Sequence, residues 1–466
     1  MSVFSRSWLI PSDRLRRGLC FLSAALVVVI IGFGFCRMVS AQTIDCSRDA
    51  GSLPNPSIPP GTPHTEIPIE HIIVIMQENR SFDSYFGRLN VDGYEGVIDG
   101  VTEDMSNPDE DGSLVHPFHQ TSYCTKDTDH SWNGAHVEWN EGLNDQFVIR
   151  NHTPGTRDGV RAMGYYQRED LNYYYALANR FAVADRYFSS LLGPTYPNRF
   201  YLLTGTSFGH IQNDFPPSTR EFAQPTIFDQ LNTYGISWKY YFSDAPVLGL
   251  FLPMFLRNLH KVAHISQFQK DLNRRRLPQV VFLESSFLVG DEHPPSDIQL
   301  GQYGVARRIN ALMRSSYWRR SALFLAYDEN GGFFDHVPPP PACLPDDLAP
   351  RLTPDSYPAD FDRYGFRVPF VLVSPYAKSH YVSHSVYDHT SILKFIETKF
   401  NLPALTQRDA NANDMLDMFN FSEPEFDAPR LPAATIDWHK LSDCLRGRPL
   451  TESEMADLDD VEDIES

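Results

Sequence analysis

The sequence predicts an α/β protein, a three-layer α/β/α sandwich around a mostly parallel central sheet. Three observations point there. Segments such as His71–Met76 and Ala322–Tyr327 are apolar, of strand length and without polar alternation, as in strands buried on both faces. Stretches of helical character separate them. Acidic and amide side chains then gather directly after these strands, where such sheets bind their ligands.

Taken in order, His71–Met76 opens the sheet, and Ser81 has the chemistry of a helix N-cap. Asp170–Arg180 reads as a helix, Phe181–Tyr187 as a strand, and Pro197–Thr204 as a helix with its proline in the first turn. Thr226–Tyr234 is a short helix stopped by Gly235, and Ile236–Phe242 is a strand. Gln279–Leu283, Ala322–Tyr327 and Val368–Val373 complete the strands, while Ile298–Met313 and Thr390–Phe400 complete the helices.

Composition narrows the function. The 466 residues are 42% hydrophobic and 13% aromatic, enough for a large core and against global disorder. With 40 Lys+Arg against 59 Asp+Glu the net charge is −19, which argues against a nucleic-acid partner. The 35 prolines outnumber the 27 glycines, a sign of long, stiffened loops.

The ends differ from the middle. Arg14, Arg16 and Arg17 precede the apolar run Leu19–Phe35, and Val39-Ser40-Ala41 supplies a cleavage site, so residues 1–41 read as a secretory signal. A secreted or periplasmic protein follows, with an uncleaved N-terminal membrane anchor as the alternative. Residues 42–65 are a lead-in rich in proline, serine and glycine, residues 66–450 the main folded domain, and residues 451–466 an acidic, disordered tail. Four cysteines lie beyond the signal, Cys46, Cys124, Cys343 and Cys444, giving up to two disulfides with three pairings open.

The polar residues after the strands carry the chemistry. Glu78 and Asn79 follow the first strand and either cap the next helix or offer oxygen ligands to a hard cation. Asp328 and Glu329 follow another. Adjacent carboxylates repel unless a cation or donors neutralise them, and Gly331-Gly332 lets the backbone turn closely around what they hold. In Gly193-Pro194-Thr195-Tyr196-Pro197-Asn198-Arg199, Thr195 falls at a helix N-cap; beside a cation its hydroxyl would become a nucleophile for phosphorus. Arg199 binds a phosphate oxygen or pairs with an acid. His130, His293 and His336 lie in polar loops, and His389, after Asp388, is grouped with Arg199 as substrate-binding. Trp132, Trp139, Tyr165 and Tyr166 either form core or cage a choline ammonium.

Six ordered blocks, HIIVIMQENRSFDSYFG (71–87), GPTYPNR (193–199), DEHPPSDIQLGQ (291–302), DENGGFFDHV (328–337), RVPFVLVSPY (367–376) and DHTSILKFIE (388–397), carry a resemblance. The chain resembles the secreted phosphoesterase family of bacterial phospholipases C, plant non-specific phospholipases C and an acid phosphatase, in the alkaline phosphatase superfamily. That resemblance implies an alkaline phosphatase-like fold with one divalent cation held by Glu78, Asn79, Asp328 and Glu329. Oxygen ligands suit Ca²⁺, Mg²⁺ or Mn²⁺, and nearby imidazoles leave Zn²⁺ open. Thr195 would be the nucleophile, forming a transient phosphothreonine. His130, His293, and His336 with Asp335 would bind phosphate or protonate the leaving group. Glu292 stands where the family commonly has Asp. The implied activity is hydrolysis of phosphatidylcholine-like phospholipids to diacylglycerol and a phosphorylated head group, by a monomer at a membrane or micelle surface. An acid phosphatase acting through the same site is the alternative. Thr195-x-Pro197-x-Arg199 also has sulfatase spacing, but threonine cannot become formylglycine, which argues against sulfatase chemistry.

Overall fold

The computed structural model describes residues 44–215, 225–287 and 290–447; the signal segment 1–41 and the acidic tail 451–466 lie outside the described residues. Eight strands build the main sheet: β1 (His71–Gln77), β2 (Ala182–Ala184), β3 (Trp238–Phe242), β4 (Val262–His264), β5 (Val280–Glu284), β6 (Ser321–Tyr327), β7 (Phe370–Val373) and β8 (Val382–Ser383). Their order is β8-β2-β7-β6-β1-β5-β3-β4. β1 and β6 are buried along their whole lengths, which is why their sequences are apolar without alternation. They pair in parallel with His71 opposite Ser321 and Gln77 opposite Tyr327, so Glu78 and Asp328 leave the sheet side by side.

Helices cover both faces of the sheet. They include α1 (Phe82–Phe86), α2 (Trp132–Trp139), α3 (Asn172–Arg180), α4 (Thr195–Thr204), α5 (Ile227–Thr233), α6 (Ser266–Asn273), α7 (Ile298–Arg314), α8 (His389–Phe400) and α9 (Trp438–Gly447). α4 packs on α8 and α5, while α3 and α6 pack on α7. The Ser81 side chain accepts from the Ser84 N–H at 3.1 Å, the cap its residue type predicted. Thr226 and Asp229 form a capping box at the start of α5.

Four details depart from the sequence reading. β7 runs antiparallel to both β6 and β2, so the sheet is mixed at that point. The edge strands β4 and β8 were not anticipated, because two or three residues carry too little pattern. The strand read at Phe181–Tyr187 shortens to β2. α4 begins at Thr195 with Pro194 at the cap position, so Thr195 is the first helical residue and not the N-cap.

Cys46 joins Cys343 and Cys124 joins Cys444, which selects one of the three pairings. Part of the lead-in lies along the body: Gly51 N–H donates to the Ala404 carbonyl at 2.8 Å, and Asn55 N–H to Asn401 Oδ1 at 2.9 Å. Among the described residues no helix is long and apolar enough to cross a membrane.

Candidate active site

β1 ends in Gln77, and the chain turns at Asn79 with φ 58°, a left-handed conformation that asparagine tolerates better than most residues. Asn79 N–H donates to Asp328 Oδ1 at 3.1 Å, tying the ends of β1 and β6 together. Gly331 and Gly332 also have positive φ; a Cβ on Gly331 would lie 2.5 Å from the Asn79 carbonyl oxygen, and one on Gly332 2.8 Å from that of Asp129. The close backbone turn read from this glycine pair is therefore present.

Glu78, Asn79, Asp328 and Glu329 are all buried. The Asn79 amide donates Nδ2–H to His130 Nε2 at 3.3 Å, which fixes its orientation and leaves the buried Oδ1 without a hydrogen-bond partner. Glu329 Oε2 accepts from Gly331 N–H at 2.6 Å, while Oε1 is buried without one. Burial pushes Glu329 well above the usual carboxylate range, and the Asp328 charge adds to it. Burial likewise pushes Glu78 up; Arg199 pulls it back, and Asp291, Asp328 and Glu284 push it further. A buried set of carboxylates in which Glu329 Oε1 lacks a partner, beside the unpartnered Asn79 amide oxygen, fits a hard divalent cation.

Arg199, one turn into α4 from Thr195, stands among these acids. Its guanidinium lies 2.9 Å from Glu78, 3.1 Å from Glu284 and 3.3 Å from Asp328. Of the two roles read for Arg199, the structure shows pairing with acids, which corrects its assignment to substrate. Glu284 was missed, although it ends β5 and so sits where polar residues after strands were sought. Thr195 itself is buried at the start of α4.

His130 and His293 come together, their rings 5.4 Å apart and edge to face. His130 Nδ1–H donates to the Thr128 carbonyl at 2.8 Å while its Nε2 accepts from the Asn79 amide; His293 Nδ1–H donates to the Pro294 carbonyl at 2.6 Å, which leaves His293 Nε2 for chemistry. Asp127 groups with both histidines at ligand spacing.

Three assignments change. His389 is fully buried; its Nε2–H donates to the Asp328 carbonyl at 2.7 Å, and its Nδ1 accepts from Tyr187 at 3.1 Å. Burial drives its pKa down to about 3, so the ring is neutral and supports Asp328 from behind, with no nitrogen left for substrate. His336 places Nδ1 2.6 Å from Asp83 and Nε2 3.0 Å from Asp99, so both nitrogens are occupied. Asp335 pairs with Arg367 at 2.7 Å, and Arg367 also holds Asp83 at 2.9 Å. His336 and Asp335 thus belong to an ion-pair network at α1, where an arginine already neutralises the acids, and not to the His130–His293 pair. The choline cage is absent as well: Trp132 and Tyr166 are core, while Arg363 covers the Trp139 ring and Arg88 the Tyr165 ring.

The chain is a phosphoric ester hydrolase, as the family it matches and its relatives show. The chain belongs to the Phosphoesterase family, whose pattern matches residues 69–403. Phospholipase C B of Mycobacterium tuberculosis is 34% identical over 431 residues, covering 78% of this chain and 81% of its own. Non-specific phospholipase C1 of Arabidopsis thaliana is 32% identical, covering 79% and 74%. Non-hemolytic phospholipase C of Pseudomonas aeruginosa is 31% identical, covering 78% and 59%. Among solved structures, a protein of the alkaline phosphatase superfamily from Vibrio parahaemolyticus overlays with a TM-score of 0.38 at 10% identity, over 79% of this chain and 71% of that one.

Proposed function

We propose that this phosphoesterase is an exported enzyme of phospholipase C type, cleaving phosphatidylcholine-like lipids with Thr195 as nucleophile. One observation carries the reading: the buried Glu329 Oε1 and Asn79 Oδ1 lack partners at the ends of β1 and β6, and Arg199 links the adjoining acids to the helix Thr195 begins. Glu78, Asn79, Asp328 and Glu329 would hold one divalent cation, Ca²⁺, Mg²⁺ or Mn²⁺. When bound, it supplies positive charge that lowers the pKa of a nearby hydroxyl and neutralises phosphoryl oxygens.

The protein's own groups do the rest. Thr195 Oγ1, its proton passed to solvent water, forms a bond to phosphorus as the bond to the glycerol oxygen breaks. Nε2 of His293, carrying a proton, delivers it to the departing diacylglycerol oxygen. Water then splits the phosphothreonine and releases the phosphorylated head group. Arg199 keeps the acids in register, and His389 holds the Asp328 backbone. Threonine at 195 and relatives named as phospholipases C support the diester reading.

The test compares phosphatidylcholine with p-nitrophenyl phosphate, wild type beside Thr195→Ala. The expected outcome is phosphocholine release from the lipid, little monoester turnover, and a loss of about 10³-fold or more in kcat for the variant. Preferential turnover of the monoester would make the chain a phosphatase instead. Full activity of Thr195→Ala would remove the phosphothreonine.

A further inference from the structure

Glu292 belongs to none of the roles above, yet it touches the foundations of most of them. It is fully buried and adopts φ 76°. Its Oε1 accepts from the Tyr174 hydroxyl at 2.5 Å and from Gln77 Nε2–H at 3.1 Å, and its Oε2 accepts from the Tyr327 hydroxyl at 2.8 Å. The Tyr85 hydroxyl also reaches this carboxylate.

The identity of these partners is the point. Gln77 and Tyr327 are directly opposite each other in the β1–β6 pairing and immediately precede Glu78 and Asp328. Glu292 itself immediately precedes His293. One carboxylate is therefore bonded to, or is, the residue just before three members of the site. A fourth link runs through Arg80, whose Nε–H donates to the Tyr85 hydroxyl and whose Nη1–H donates to the Asn79 carbonyl, both at 3.1 Å. The Gln77 amide extends the same network to the Gly290 carbonyl at 2.9 Å and to the Ser285 hydroxyl at 2.6 Å, just past the end of β5.

α7 is shaped to admit the side chain. A Cβ on Gly301 would fall 2.1 Å from Glu292 Cγ, so only glycine leaves room for the methylene that distinguishes glutamate from aspartate at this position. A buried carboxylate costs several kcal/mol to desolvate, and apolar packing of similar volume is often as stable. What apolar packing cannot do is fix several hydroxyl and amide donors at set distances from one point.

We infer that Glu292 is a positioning residue that sets the mutual placement of Glu78, Asp328 and His293. The inference rests on the cation-dependent reading of the site given above. Outer residues that orient ligands typically change metal affinity or activity by about 10- to 100-fold when altered.

The test measures Mn²⁺ affinity by calorimetric titration, and kcat and KM on the soluble diester bis(p-nitrophenyl) phosphate, with thermal unfolding as the check on folding. Glu292→Gln, which turns one acceptor oxygen into a donor, is expected to weaken Mn²⁺ binding and lower kcat by about 10- to 100-fold each, with KM within about twofold. Tyr174→Phe removes one of the bonds to Glu292 from α3, away from the site, and is expected to shift both quantities in the same direction by a smaller factor. It decides the matter if Glu292→Gln does not fold. Folded variants that keep wild-type Mn²⁺ affinity and kcat overturn the inference, as does a change confined to KM. A wild type that binds Mn²⁺ and cleaves the soluble diester but not phosphatidylcholine overturns the lipid assignment and leaves the role of Glu292 standing.

Discussion

His336 carries a proton that two carboxylates hold in place. Burial alone would lower its pKa, but Asp83 and Asp99 raise it to about 9, against 6.5 when unperturbed. The folded state therefore binds this proton more tightly than the unfolded state does. The resulting stabilisation is complete below about 6.5 and disappears as pH rises through about 9. His336→Gln is expected to lose on the order of 3 kcal/mol at pH 6 and much less at pH 10, measured by denaturant unfolding at both values. An equal loss at both would show that packing, not charge, is what the ring supplies. Residue chemistry in the sequence pointed to the acidic and amide side chains after β1 and β6, because a buried parallel sheet presents its polar residues at the strand ends. It could not sort the histidines. Whether a ring meets Asn79 or meets Asp83 depends on loop paths that local spacing does not encode, and His336 and His389 were misplaced for that reason.

α8 shows the same limit for a whole element. Its span was legible from periodicity, and Asn401 ends it in a left-handed conformation. Its partner α4 was legible to within one turn. The sequence did not show that α8 carries a fully buried Glu397, which burial and the neighbouring Asp409 charge push well above the usual carboxylate range. A raised acid pKa means the folded protein prefers the protonated form, so stability is full at low pH and declines as pH rises. Glu397→Gln is expected to raise the melting temperature at pH 8 and leave it nearly unchanged at pH 4, read by calorimetry. The inverted orientation of β7 was equally hidden, since an apolar four-residue strand reads the same in either direction.

For the molecule as a whole, the layered fold was the most legible feature, since it follows from the repeated alternation of buried strand and helix and not from any single residue. Charge acts at this scale as well. At −19 the protein is repelled by anionic bilayers, over a range of about 10 Å at 0.1 M salt. Cleavage of phosphatidylcholine vesicles is expected to slow as phosphatidylserine is added at low ionic strength and to recover with salt. Faster cleavage on the anionic vesicles would point to a local basic docking face that outweighs the net charge.

The two cross-links are interleaved along the chain, 46 with 343 and 124 with 444. In a chain freed of residues 1–41, which carry Cys20 and Cys36, oxidation in order of emergence would join Cys46 to Cys124, which are not partners in the fold. The correct partners meet only after the sheet has brought distant segments together. Maturation thus has to run from shape to covalent closure, and any compartment that hosts it has to delay or correct the earliest thiol pairing.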